Sequence, residues 1–236
     1  SEGTLQAAHR LERVPGWRGV TLGPGRAVYL CDAPPKLSRV DKEALSTVAR
    51  RVLAGSRAPL LSSFPPGLRR AESSEVMVML DEDGRARLWR SARATSIAAA
   101  LLTALRTASK RWSERSNSLG GPLAEVLPGL RVKVIQLRED GDVVSFEPSW
   151  INRAVGPAHG LGYDRRGDWH YLLPWQIRSD GVGGAAAALT ELLEERGLGP
   201  RPLATEGARL YRFLPVTLAI SEAPSGPSVE KAPEEL

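Results

Sequence analysis

Cysteine is almost missing from this 236-residue chain: Cys31 stands alone. One thiol cannot close an intrachain disulfide, and it cannot build a thiolate zinc site. Its setting after the apolar run "RAVYL" fits a small buried hydrophobe better than a nucleophile. Long apolar runs are missing too. The richest Ala/Leu stretch, residues 97 to 105, falls far short of the ~20 residues that span a bilayer and leads into Arg106 and Lys110. No basic start followed by an apolar centre marks a signal peptide. The expected compartment is cytoplasmic, although a chain starting at Ser1 rather than methionine also fits removal of a leader or upstream segment. Lysine is scarce, at five of the 32 basic residues (36, 42, 110, 133 and 231). Gly183 and Gly184 precede a helix, but no P-loop lysine and no dinucleotide spacing follows, and no Gly-x-Ser-x-Gly elbow occurs. No cofactor is expected.

What is present suits a water-exposed globular domain, with 42% hydrophobic and 25% charged residues. The net charge of +5 hides an asymmetry. Residues 1 to 120 carry 20 Lys+Arg against 11 Asp+Glu, and residues 121 to 236 carry 12 against 16. Two short strands flank "GPG" between residues 16 and 32. A first helix begins at Ser38, with Asp41 completing a capping box and Val40, Leu45, Val48, Val52 and Leu53 forming its apolar stripe. "EVMVML", "DEDG" and "RARLWR" read as a hairpin. A second helix follows from Thr95 or Ser96, with Ile97, Leu101 and Leu105 at four-residue steps. "LRVKVIQL" alternates at period two with apolar residues on both faces, which predicts a central strand. A last helix ends at Gly197, placed as its left-handed cap, and "ARLYRFLPVTLAI" forms the closing strand. Without regular βαβ alternation, these elements predict an α+β fold with a mainly antiparallel sheet. The carboxylate runs Asp81 to Asp83 and Glu139 to Asp142 are assigned to solvated turns.

Three constellations carry possible chemistry. The stretch "HGLGYDRRGDWHYLLPWQI" holds His159 and His170. If Asp164 to Gly167 is a four-residue loop, Leu161 pairs with His170, and His159 lies diagonal to it on the same face. Diagonal neighbours are about 7–8 Å apart, so Asp168 would complete a two-His-one-carboxylate metal set. A one-residue bulge at Gly167 would send His170 to the opposite face. The second constellation is a basic strip of Arg85, Arg87, Arg90 and Arg93, with Arg106, Lys110 and Arg111 on the next helix. By parity Arg85, Arg87 and Trp89 share a face that suits a small anionic ligand or, by stacking, a nucleic acid. A solvated Arg-rich face explains the same residues. The third is the set of six tryptophans, 17, 89, 112, 150, 169 and 175. They serve core packing or line a groove in which Arg85, Arg87, Trp89, His159, Trp169 and Trp175 bind a ligand.

The order of these words resembles the AMMECR-type domain family across roughly residues 42 to 220. "STVARRVLAG" is similar to that family's opening helix, and "EVMVMLDEDGRARL" to its strand-turn-strand before an Arg-Gly-Cys-Ile-Gly signature. "ATSIAAALLTALRTAS", "LRVKVIQL", "HGLGYDRRGDWHYLLP", "ALTELLEERGLGP" and "ARLYRF" follow in the same order. The resemblance implies a two-lobed single domain, placed at 37–220; the strand pair around "GPG" makes 1–36 an N-terminal hairpin extension, and the linker composition of "SEAPSGPSVEKAPEEL" makes 221–236 a disordered tail or linker. In microbes it also implies an association with radical-SAM and Memo-like proteins. The signature itself reads Arg87-Leu88-Trp89-Arg90-Ser91 here, so bulky side chains replace glycine and cysteine. The resulting expectation is a non-catalytic binding or scaffolding module with a protein partner. The alternatives are a metal-dependent enzyme near His159, His170 and Arg87, or nucleic-acid binding through the basic N-terminal half.

Overall fold

Ser38 organises the first helix before it begins. In the computed structural model, which describes residues 17–23, 26–31, 37–143, 145–165, 168–179, 184–198 and 207–221, its hydroxyl accepts the Asp41 N–H at 3.1 Å. The Asp41 carboxylate accepts the Ser38 N–H at 2.9 Å, closing the expected capping box. Helix α1 then runs Arg39–Leu53 and buries Leu45, Ala49, Val52 and Leu53. Val40 does not join this stripe, because it lies in the first turn on the solvent side.

The N-terminal strands β1 (Trp17–Gly23) and β2 (Arg26–Cys31) pair antiparallel as a separate two-stranded sheet. Their side chains, including those of Trp17 and Cys31, lie outside the described residues, as do residues 222–236. After the short helix α2 (Pro66–Arg69), strands β3 (Ser74–Glu82) and β4 (Arg85–Ala94) form the hairpin. Its turn needs only Asp83 and Gly84, both with positive φ, as a two-residue turn that follows strand twist requires. Helix α3 (Ile97–Glu114) is capped by the Ser96 hydroxyl. Two short helices, α4 (Ser116–Leu119) and α5 (Leu123–Val126), lead to β5 (Arg131–Asp142). Then come α6 (Pro148–Ala154), β6 (Gly160–Arg165), β7 (Asp168–Leu172), α7 (Pro174–Ser179), α8 (Gly184–Glu195) and β8 (Ala208–Ser221). Gly197 has the positive φ expected of a cap.

The main sheet has the order β4-β3-β5-β8-β6-β7, with every pair antiparallel and β5 internal. Strand alternation sorts its side chains onto two faces. Val76, Val78, Leu80, Leu88, Val132 and Val134 meet α1 and α3 on the outer face of one half. Leu161, Tyr163, Leu172 and Leu210 meet Ile151 of α6 and Leu189 of α8 on the outer face of the other half. These two helix-covered halves are the lobes of one α+β domain. Among the described residues, no helix is long and apolar enough to cross a membrane.

The inner face closes on itself. Six flat strands at ~4.8 Å spacing would hold the edge strands roughly 24 Å apart. Yet the guanidinium of Arg93 on edge strand β4 sits 4.2 Å from the ring of Trp169 on edge strand β7. The sheet is therefore strongly curled, and a third core of Met77, Met79, Ile135, Leu137, Tyr171, Leu173, Tyr211 and Phe213 lines its concave side.

Candidate functional site on the inner face of the sheet

Glycine in the "HGLGY" word makes room for this inner core. Gly160 pairs with Phe213 and Gly162 with Tyr211. A Cβ on Gly160 would lie 2.6 Å from the Leu172 carbonyl oxygen and press into the Phe213 ring. A Cβ on Gly162 would lie 2.5 Å from the Tyr211 hydroxyl and closer still to its ring carbon Cζ. The two rings thus lie flat across β6. Edge-to-face contacts at 6.0 Å join Tyr211 to Trp169 and Phe213 to Tyr171.

Five charged side chains run from this aromatic floor to solvent in alternating sign. Arg93 lies opposite Glu75 across the β3–β4 ladder and contacts its Oε2 at 3.2 Å and Glu139 Oε1 at 2.5 Å. Arg209 contacts Glu139 Oε2 at 2.8 Å and Asp142 at 2.7 Å. The Glu75 side chain is 3% exposed and that of Asp142 59%, so the chain spans the whole depth of the face. Tyr211 contributes its ring to both cations, 4.8 Å from the Arg209 guanidinium and 6.0 Å from that of Arg93.

Electrostatics separates the two glutamates. Burial pushes the Glu75 carboxyl above the usual carboxylate range, and the opposing pulls of Tyr171 and Arg93 do not cancel it. Burial acts on Glu139 in the same sense, but Arg209 and Arg93 together outweigh it and hold that carboxyl low. Burial and the nearby Glu75 charge push both Tyr171 and Tyr211 upward, so both phenols stay protonated. Two buried polar atoms of this cluster, Glu75 Oε1 and the Tyr211 hydroxyl, make no hydrogen bond of good geometry among the described residues, although the Tyr171 hydroxyl lies close enough to act on both side chains. Such orphaned groups are uncommon in buried positions and mark a place where a further molecule can bond.

The residues singled out from sequence divide between this face and others. Trp89 and Trp169 both pack against the inner core. Arg85 and Arg87 do not share their face, because the ladder skips a residue: Leu80 pairs with Leu88 but Asp81 with Ala86. This bulge at Arg87 reverses the alternation. Arg85 is exposed opposite Glu82. Arg87 contacts Glu82 at 3.3 Å and donates to the Leu119 carbonyl of α4 at 3.4 Å. Trp175 is exposed on α7.

The histidines are separated. His159 Nε2 bonds Asp140 Oδ2 at 2.8 Å, and Arg212 holds the same carboxylate at 3.1 Å. The β6–β7 turn is shorter than a four-residue loop, since Arg165 pairs with Asp168 and Tyr163 with His170. His170 therefore sits beside Tyr163, with ring centres 6.3 Å apart, four residues or roughly 13 Å along the strand from His159. The Asp168 side chain lies outside the described residues, and among the described residues no three His, Cys, Asp or Glu side chains are grouped to hold a metal.

The carboxylates assigned to solvated turns also move inward. Asp81 is 2% exposed and contacts Lys133 at 3.2 Å, and Glu139 belongs to β5 and the charged chain. Parity along "VKVIQLRE" places Glu139 on the face of Ile135 and Leu137, a signal the acidic run conceals. Glu75 begins the apolar alternation of β3, and its inward side becomes readable only once Met77 and Met79 are known to face a core.

A curled, six-stranded antiparallel sheet carrying helices on its outer face places the chain in the α+β class. Its fold is similar to the crystal structure of an uncharacterized protein from Pyrococcus horikoshii, with a TM-score of 0.57 at 20% sequence identity. The match covers 76% of this chain and 91% of that one. No family model and no curated protein matches the chain.

Proposed function

We propose that the chain is a divergent AMMECR-type domain that acts as a binding module, and that the inner face of its curled sheet takes a small ligand. The observation that carries this reading is the pair of orphaned buried atoms, Glu75 Oε1 and the Tyr211 hydroxyl. A carboxylate oxygen calls for a donor, and the phenol can donate or accept. Trp169 and Tyr171 lie beside them, and the ring of Trp169 is only partly buried. The matching ligand is flat or compact and presents N–H or O–H groups, such as an amide or a nitrogen heterocycle. In support of a degraded family signature, Leu88 fills the outer core and Trp89 packs on the inner one, where Gly and Cys would leave room.

The test is native mass spectrometry of the purified chain, followed by a screen of amide and heterocycle fragments read by tryptophan fluorescence. A bound small molecule or fragment hit that Glu75→Gln and Tyr211→Phe both weaken supports the reading. The absence of any hit, or hits indifferent to both substitutions, overturns it. Protein partnership has its own support in Trp150 and Trp175, which are 44% and 39% exposed on α6 and α7. Both helices pack on α8, and exposed tryptophans on neighbouring elements are typical interface anchors.

A further inference from the structure

Strand β8 is paired on both sides over its first half and on one side over its second. β6 follows it only as far as Gly160 with Phe213, whereas β5 follows it to Ser221. Among the described residues, no strand pairs with the other edge of residues 214 to 220. Helix α1 borders this open edge. The Ser46 hydroxyl donates to the Ile220 carbonyl at 3.5 Å, and Arg50, one turn later, donates to the Ser221 carbonyl at 3.2 Å. The helix thus advances in the same direction as β8, and its N-terminal end lies towards Leu214. Between them runs a groove of about 470 Å³, walled by Lys42, Glu43, Ser46 and Thr47 of α1 and by residues 217 to 220 of β8. Apolar side chains stand exposed on both walls: Ile220 at 47%, and Val40 at 64% on the α1 stripe of Glu43 and Thr47.

We propose that the N-terminal hairpin of the same chain docks here, with β2 adding a strand to the open edge of β8 and covering the groove beside α1. Seven residues, 32 to 38, join β2 to α1. Extended, they reach roughly 23–25 Å, and Lys42 lies only about 4.5 Å past the start of α1. That reach lays Cys31 beside Leu214, with β2 running back towards Ile220. The strand is then antiparallel to β8, like every other pair of the main sheet. Its six residues match the length of the open stretch. Two strands alone are marginal in water, and a third strand or a packed helix stabilises them; β8 and α1 supply both. An untethered strand, including a second copy of the chain, meets a blunted edge. Pro215 offers no N–H, and the register slips at Leu218, between the pairs Ile135–Thr217 and Val134–Ala219. Both features keep a bare edge from pairing with other molecules. The short tether offsets them, since it holds β2 at an effective concentration on the order of millimolar. None of the inner-face ligand residues takes part.

Amide hydrogen exchange of the full chain, resolved residue by residue by NMR, tests the docking. With β2 in place, the amides of residues 214 to 219 that point away from β5 are expected to exchange slowly, at every protein concentration. The double variant Val28→Pro with Tyr29→Pro removes two successive donors of β2, one of which faces β8 because strand N–H groups alternate in direction. It is expected to speed those outward amides at least tenfold. The amides of β5 and α1 should keep their protection in the variant, which shows that the domain itself stays folded. Outward amides that exchange like exposed ones in the wild type, or protection that the two prolines leave unchanged, would overturn the proposal. Protection that rises with protein concentration and survives the two prolines would place a second copy on the edge, and overturns it equally.

Discussion

Gly162 and Glu75 show how much of the inner face rests on single residues. At Gly162 any Cβ would collide with the Tyr211 ring, and that ring is boxed in by Trp169 on one side and Arg209 on the other. Gly162→Ala is expected to destabilise the fold by about 1–3 kcal/mol, the usual range for overpacking, measured as a lower urea midpoint. Glu75 offers a test by pH. Its carboxyl is raised in the fold, so its contribution is fully present below the ordinary carboxylate value and is lost as pH rises through the raised value. Gln cannot ionise. The melting temperature of Glu75→Gln should therefore gain on that of the wild type as pH climbs from 4 to 8. Glu139, held low by Arg209 and Arg93, acts with the opposite sign and is coupled to Glu75 through Arg93, but its effect falls below the ordinary carboxylate value, so the comparison is read above it. A difference that is flat or falls with pH would show that Glu75 is not raised.

Local rules govern the elements well. At α1 the cap is set by two residues, and Ser38→Ala should cost about 1 kcal/mol, seen as a lower unfolding midpoint with unchanged inner-face properties. The first two helices, the β3–β4 hairpin and the central place of β5 were legible in sequence because each is written within a dozen residues: Ser38 with Asp41, Ile97 with Leu101 and Leu105, Val132 with Val134. Registers were not. One skipped residue at Arg87 moved Arg85 to the face opposite Trp89, and a turn shorter by one residue pair carried His170 away from His159. Neither event leaves a compositional mark, because Arg87 resembles any other strand arginine and "DRRGD" is compatible with either loop length. The charged chain of the inner face was also hidden. Glu75, Arg93, Glu139 and Arg209 lie on four strands, and only the curl of the sheet assembles them.

At the scale of the whole molecule, that curl is what brings the edges of the two lobes together. On the inner face Arg93 of β4 stacks on Trp169 of β7. The seam is held by unlike contributions: an aromatic body packed on the third core, and a cation anchored by two carboxylates. Trp169→Ala removes a partly buried body and should cost less than the ~3–5 kcal/mol typical of a fully buried aromatic. Arg93→Lys keeps the charge but not the planar stack, so its cost should be smaller. The stack itself is isolated by a double-mutant cycle between Arg93→Ala and Trp169→Ala, with an expected coupling of about 0.5–2 kcal/mol for a partly desolvated cation–π pair. Hydrogen exchange should localise the damage. With Trp169 gone, amide protection should fall first in β4 and β7, the strands whose outer edges have no partner in the sheet, while β5, paired on both sides, keeps its protection. Uniform loss across all six strands would mean that the edges do not hold the sheet closed, and that the curl is set by strand twist alone.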